Sequence, residues 1–175
     1  MKSLFTQKQL NITLERLAHQ LLENHGDFSD AVLIGMQPRG IFLSDRIHSK
    51  LKALLPGAVI PYGKLDITFY RDDFNTSNEL HVAAETDINF SIEGKKVILI
   101  DDVLYTGRTI RAGLDALLDF GRPGSVELLV LIDRRFSREL PIQPDYLGMT
   151  VDSVASQKVK VLWKEQDKKD EVVLI

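Results

Sequence analysis

The sequence predicts an α/β fold, a mostly parallel twisted sheet flanked by helices. Three observations carry that expectation. Apolar runs occupy 31–36, 97–100 and 126–132, the last interrupted only by Glu127, as in strands buried on both faces. Between such runs, leucines and isoleucines recur at the three- and four-residue spacing of an amphipathic helix. The first and middle runs each end in a glycine-bearing turn from which a helical pattern starts, which is the first half of a βαβ unit.

The 175 residues, 44% of them apolar, fit one domain, 1–175, with a substantial core. A net charge of −3 gives no global pull toward nucleic acid, although a local basic face stays open. The absence of cysteine excludes disulfides, thiol chemistry and Cys-based metal sites. No apolar run approaches about 18 residues, so no membrane span is expected. The start, Met1-Lys2-Ser3-Leu4-Phe5-Thr6-Gln7, lacks the apolar core of a signal peptide. The expectation is a soluble, cytoplasmic protein.

In chain order, Thr6 caps a first helix that runs to about His25 and stops at Gly26, with Leu10, Leu14, Leu17 and Leu21 as its buried stripe. Arg16, His19, Gln20 and Glu23 fall on or beside the opposite face and read first as a solvated surface. The strand at 31–36 leads into Gly35-Met36-Gln37-Pro38-Arg39-Gly40. A helix follows with Leu43, Ile47, Leu51 and Leu54 on one face, closed by Pro56-Gly57. Within 59–70 a second strand is expected, Leu65, Ile67 and Phe69 alternating with Asp66 and Thr68. The polar stretch 71–89 has little periodicity and reads as a flexible loop or lid.

The middle run is followed by Asp101 and Asp102, then by Thr106-Gly107-Arg108-Thr109, a turn opening a helix with Ile110, Leu114, Leu117 and Leu118 on its apolar face and Gly121 as its stop. Ligands of open α/β sheets bind outside the carboxyl ends of strands, and a helix N-terminus presents N–H groups to an anion. A phosphate on this turn puts the sugar it carries beside the two carboxylates. Successive strand residues point to opposite faces, so both acids reach one sugar only if the chain leaves strand geometry, here at a turn near Val103. The strand at 126–132 ends in Asp133-Arg134-Arg135, the proline-bearing segment to about Met149 reads as irregular cover, and 159–163 with 172–174 suggest a closing hairpin.

The run Asp101 to Gly113, with Asp66-Ile67-Thr68-Phe69-Tyr70-Arg71-Asp72-Asp73 and Arg138-Glu139-Leu140-Pro141-Ile142, resembles the PyrR family of the type I phosphoribosyltransferases over almost the whole chain. Members of that family are uracil phosphoribosyltransferases that also act as RNA-binding attenuators of pyrimidine genes. The resemblance implies transfer from phosphoribosyl pyrophosphate (PRPP) to uracil, giving UMP, with Mg2+ held largely through PRPP and only indirectly by Asp101 and Asp102. Asp101, Asp102 and Arg39 are then the catalytic group, and Tyr105, Thr106, Gly107, Arg108 and Thr109 hold the 5′-phosphate and ribose. Gln37, Pro38, Arg39 and Gly40 form the pyrophosphate loop, in which the family has a cis peptide. Gln37–Pro38 is expected to be cis, since an X–Pro bond favours trans by only roughly 0.5–1 kcal/mol.

Arg71 faces the pyrophosphate in this reading, with Asp72 and Asp73 near the metal or the loop hinge, although both acids read equally well as loop solvation. The hood over the base is expected at roughly 133–150 together with the first helix, with Arg134 and Tyr146 as base contacts. Tyr105 stands where purine-specific relatives usually carry an aspartate, and a phenol with a pKa of about 10 is a poor base at neutral pH. The competing reading is a UMP-sensing regulator with little or no activity. It binds pyrimidine-operon leader RNA through Arg16, His19 and Arg138 with Arg134 and Arg135, although Glu15 opposes phosphate on that face. A homodimer or larger even assembly is implied by the resemblance alone.

Overall fold

In a computed structural model, the described residues, 1–73 and 83–175, form two sheets. The larger is built from β2 (Ala31–Met36), β3 (Tyr62–Leu65), β4 (Lys96–Leu104), β5 (Ser125–Arg135) and β6 (Tyr146–Asp152), in the order β3-β2-β4-β5-β6. All four pairings are parallel. Helices α1 (Gln7–His25) and α2 (Gly40–Leu54) cover one face, where Leu10, Leu14, Leu17 and Leu21 meet Leu43, Ile47 and Leu51 over Leu33, Ile98 and Ile100. Helix α3 (Arg108–Leu117) covers the other, with Ile110 and Leu117 on Ile34, Leu99 and Val130. No helix among the described residues is long and apolar enough to cross a membrane.

Local chemistry sets the boundaries. At the start of α1, Thr6 Oγ1 accepts from Gln9 N (3.4 Å) and Gln9 Oε1 accepts from Thr6 N (2.9 Å), a reciprocal capping box. Gly26, at φ 57°, stops the helix as expected. Strand β3 is shorter than the alternation predicts and ends at Leu65. Asp66 Oδ1 accepts from Thr68 N (3.3 Å) and Thr68 Oγ1 (2.7 Å), which turns the chain into a 3-10 turn, Thr68–Tyr70, and leaves Phe69 69% exposed. On α3 the buried face is Ile110, Gly113 and Leu117 rather than the leucine stripe. A Cβ on Gly113 would lie 3.0 Å from Met36 Cε, so the helix packs at this bare position, and Leu118, beyond its last turn, is 64% exposed.

The expected hood at 133–150 is not observed. Tyr146 begins β6, an edge strand of the main sheet, and 136–145 is the connection a parallel pairing requires. Helix α1 lies on the main sheet beside α2. The cover comes from the chain ends instead, as an antiparallel sheet β1-β8-β7 of β1 (Lys2–Phe5), β7 (Val159–Leu162) and β8 (Glu171–Leu174), with α4 (Lys164–Asp167) between the last two. The closing hairpin is therefore present. Of the expected loop 71–89, residues 74–82 lie outside the described residues. Its returning end is pinned to β3, where Lys64 N donates to Asp87 O (2.9 Å) and Asp87 N to Lys64 O (2.8 Å).

Candidate active site

Strands β2 and β4 are neighbours although β3 lies between them in sequence, so the strand order reverses at their junction. Such a reversal opens a crevice at the carboxyl ends of the strands. Asp101 and Asp102 sit there, each 7% exposed. Strand β4 does not turn at Val103 but continues to Leu104, and the alternation fails instead. Ile98 and Ile100 belong to the α1/α2 core and Leu99 to the α3 core, yet Val103 packs with the former and Leu104 with the latter. Asp102 and Val103 thus line one cavity of about 290 Å3, shared with Val159, Lys160 and Val161 of β7.

The acids constrain each other. Asp101 Oδ1 accepts from Asp102 N at 2.9 Å. Burial and the adjacent Asp102 charge push Asp101 well above the usual carboxylate range. Burial also raises Asp102, opposed by Arg39, whose Nε is 3.5 Å from Asp102 Oδ2. Gly40 lets the start of α2 touch this strand end, since a Cβ there would lie 2.7 Å from Ile100 O and 3.0 Å from Asp101 Cα. Gln37–Pro38 is cis, as the sequence predicted. Arg39 reaches from this loop to the small sheet. It donates to Gln166 Oε1 (2.9 Å) and Val161 O, and lies 3.5 Å from Asp167.

Across the crevice Gly107, at φ 95°, turns the chain into α3, and Thr106 O accepts from Glu139 N (3.0 Å) and Leu140 N (3.1 Å). The first turn of α3 faces a cavity of about 270 Å3 with Thr106, Arg108 and Thr109 on one side and Arg71, Asp72 and Asp73 on the other. The structure thus brings the loop residues to the phosphate-type turn. Arg108 pairs with Asp72 (2.7 Å) and Glu139 (2.6 Å), and Arg71 with Asp73 (2.8 Å).

Arg134 lies beside the site but is committed. It is buried, donates to Ser153 Oγ (3.0 Å) and Gln157 O (2.7 Å), and stacks 3.9 Å over the Tyr105 ring. Tyr146 is not brought to the site. It is 3% exposed, and its hydroxyl is held by Asn24 and His25 at the end of α1 and by Glu127 of β5. Each member of the basic set Arg16, His19 and Arg138 also has a contact within the chain. Arg138 donates to Tyr105 O (2.6 Å) and pairs with Asp133, while Arg16 grips Leu147 O (3.1 Å) and Gly148 O (2.7 Å) at the edge of β6. His19 Nδ1 lies 2.8 Å from Glu15 O, within its own helix.

The sequence reading missed Val161, Trp163 and Asp167 as site neighbours. The apolar alternation at 159–163 signalled only a strand, Asp167 beyond it carried no signal, and the one hint was that Arg39, expected at a buried strand end, needs acceptors from somewhere. Among the described residues no group of three or more His, Cys, Asp or Glu side chains is placed to hold a metal alone.

Comparison with known proteins agrees with this geometry. A family model described as phosphoribosyl transferase domain matches residues 1–166. The bifunctional protein PyrR of Elusimicrobium minutum is 46% identical over 168 residues, covering 96% of this chain and 93% of that protein. That of Desulfosudis oleivorans is 48% identical over 165 residues, 94% of this chain and 91% of the relative. Among solved structures, a hypoxanthine phosphoribosyl transferase of Trypanosoma cruzi superposes with a TM-score of 0.74 at 18% identity, over 99% of this chain and 90% of that one, a likeness of fold.

Proposed function

The chain belongs to the PyrR family of phosphoribosyltransferases, and from that membership we propose that it joins uracil to PRPP, releasing pyrophosphate and forming UMP. The observation that carries the reading is the buried acid pair at the end of β4, with Arg39 on one side and the amides of the Gly107 turn on the other. In the transfer the C1–pyrophosphate bond breaks and a bond from C1 to a uracil ring nitrogen forms, with the nitrogen's proton passing to solvent. Positive charge develops on the ribose and negative charge on the leaving group. Asp101 and Asp102 suit the first, accepting from the ribose hydroxyls while their charge faces the ring. Arg39 and the Gly40 amide suit the second. Thr106, Gly107, Arg108 and Thr109 hold the 5′-phosphate.

The cavity between Val103 and Val159–Val161 adjoins Asp102 and is the natural seat for a flat pyrimidine, which moves the base contacts from Arg134 and Tyr146 to β7. The chain's own donors fit a Mg2+ that arrives on PRPP and keeps most of its ligands there, with Asp101 and Asp102 as its nearest carboxylates. The metal, when bound, neutralises the departing pyrophosphate. The test is UMP synthesis with a panel of uracil, orotate, hypoxanthine and guanine plus PRPP and Mg2+, repeated on Asp101→Asn and Asp102→Asn. Turnover with uracil alone, lost in both variants, is expected; purine turnover, or none with any base, overturns the reading.

Family membership also supports a second role, UMP-responsive attenuation through pyrimidine-operon leader RNA, by a homodimer or larger even assembly in the cytoplasm. Arg16 and His19, exposed on α1, and Arg138 are its candidate RNA contacts, Arg138 also donating to Tyr105 O and pairing with Asp133. A gel-shift assay with leader RNA, with and without UMP at two salt concentrations, tests this; no UMP-dependent shift refutes it.

A further inference from the structure

Trp163 is the single tryptophan of the chain and is 0% exposed. It follows β7 directly, at the N-terminus of α4, with the Arg46 guanidinium 4.8 Å from its ring centroid. Its backbone N–H donates to Asp167 Oδ2 (3.0 Å), and Asp167 faces Arg39, which faces Asp102. The indole Nε1 is different. It is buried with no hydrogen-bond partner among the described residues. A buried donor without an acceptor loses hydration for nothing unless another state of the molecule satisfies it. The side chain is nevertheless close enough to Asp102 to favour its ionised form, against the effect of burial.

We propose that Trp163 is a positioning residue for Asp102: its indole N–H closes onto the carboxylate when a ribose is bound and fixes the oxygen that faces the sugar. This rests on the phosphoribosyl-transfer reading. Burial brings Asp102 to the site with few partners of its own. Arg39 is its cationic neighbour, but Arg39 is shared with Val161 O, Gln166 and Asp167, and the proposed mechanism turns it toward pyrophosphate. A second donor that belongs to the small sheet then holds Asp102 while Arg39 serves the leaving group. The other charges packed around the pair are Asp101 on β4, Lys160 on β7, and Arg46 with Glu165 and Asp170 around the indole. Beside the Val103 backbone N–H, Trp163 is the neutral side-chain donor near this carboxylate.

The experiment uses the full chain and two readouts. The emission of Trp163 is followed with and without saturating UMP. UMP is expected to shift the emission maximum in the wild type and in Asp115→Asn, a surface acid on α3, and not in Asp102→Asn. A wild-type maximum unmoved by saturating UMP, or one moved equally in Asp102→Asn, overturns the proposal. The second readout is a double-mutant cycle on UMP affinity by calorimetry. Trp163→Phe keeps the aromatic ring and removes the donor, and is expected to weaken UMP binding about tenfold in the wild-type background and by less than about twofold in Asp102→Asn. Equal losses in both backgrounds mean a packing role only and overturn it. If the wild type binds neither UMP nor PRPP, the transfer reading fails and takes this inference with it, whereas an intact wild type with an additive cycle sinks the inference alone.

Discussion

Gly40→Ala tests whether the catalytic geometry depends on the bare approach of the pyrophosphate loop to β4. The new Cβ would sit 2.7 Å from Ile100 O and 3.0 Å from both Asp101 Cα and Asp101 Oδ1. An ordinary carbon–oxygen approach is about 3.3 Å, so roughly 0.6 Å must be found. Two of the three neighbours are backbone, and they cannot swing aside as a side-chain tip does. The displacement therefore falls on the start of α2 or the end of β4, the two segments that carry Arg39 and Asp101. Misplacing reacting groups by about 1 Å can reduce rates about 100-fold, so roughly 0.6 Å predicts a loss of about tenfold or somewhat more in kcat/KM. Overpacking should also lower stability by about 1–3 kcal/mol. UMP formation and urea unfolding measure the two effects. Gly113→Ala is the control, because its Cβ meets Met36 Cε at 3.0 Å and Sδ at 3.1 Å, the end of a flexible side chain. It should lower stability by less than about 1 kcal/mol and leave kcat/KM near wild type. A folded Gly40→Ala with wild-type kcat/KM, or equal activity losses in the two variants, refutes the reasoning.

Tyr146→Phe should lower stability by about 1–3 kcal/mol, since it strips a buried hydroxyl from Asn24, His25 and Glu127, and should leave KM for uracil unchanged by steady-state assay. Asp72→Asn removes an anion from Arg108 at the phosphate turn and should lower KM for PRPP by up to about fivefold, the worth of a half-exposed ion pair. The acid pair sets a pH dependence of the ligand-free protein. Asp101 is raised in the fold by burial and by Asp102, so the native state binds the proton more tightly than the unfolded chain, and stability falls as pH climbs from the ordinary carboxylate range through the raised value. Asp101→Asn should therefore raise Tm at neutral pH, flatten that slope and abolish UMP synthesis; a lower Tm at neutral pH contradicts the assignment.

The parts of the fold legible in the sequence are those where one local signal acts without rival. The apolar runs of β2, β4 and β5, the Thr6 capping box and the Gly107 turn were each readable because burial, capping or backbone freedom is written in a few adjacent residues. Misreadings came where two signals compete. Alternation from Leu65 to Phe69 argued for a strand, but Asp66 offered the backbone a closer partner and won. Tyr146 was expected at the base because 133–150 reads as the hood, yet an apolar ring with one polar tip also suits a buried edge strand whose hydroxyl meets a helix end. The acids of the site were found from their spacing to the turn. The small sheet that completes the site was not, because it joins residues 2–5 to residues 159–174, and such pairing leaves no mark in either segment alone.

That long-range pairing ties catalysis to the docking of the chain ends. Arg39 is bonded at once to the loop before α2, to Val161 and Gln166 in the small sheet's segment, and to the Asp102 side of the crevice. Two buried carboxylates with one shared cation are unfavourable for the free protein, and a ribose with its hydroxyl donors and a metal-bound pyrophosphate supplies what they lack. A site of this kind is most stable when filled, so UMP or PRPP should tighten the small sheet as well as the strand end. The pairs Lys2–Leu174 and Ser3–Val173, between β1 and β8 and away from the cavity beside Asp102, are where that tightening is read by amide hydrogen exchange. If their exchange is unchanged by saturating UMP while the Gly107 turn becomes protected, the chain ends are a passive cover, and Arg39 belongs to the loop alone.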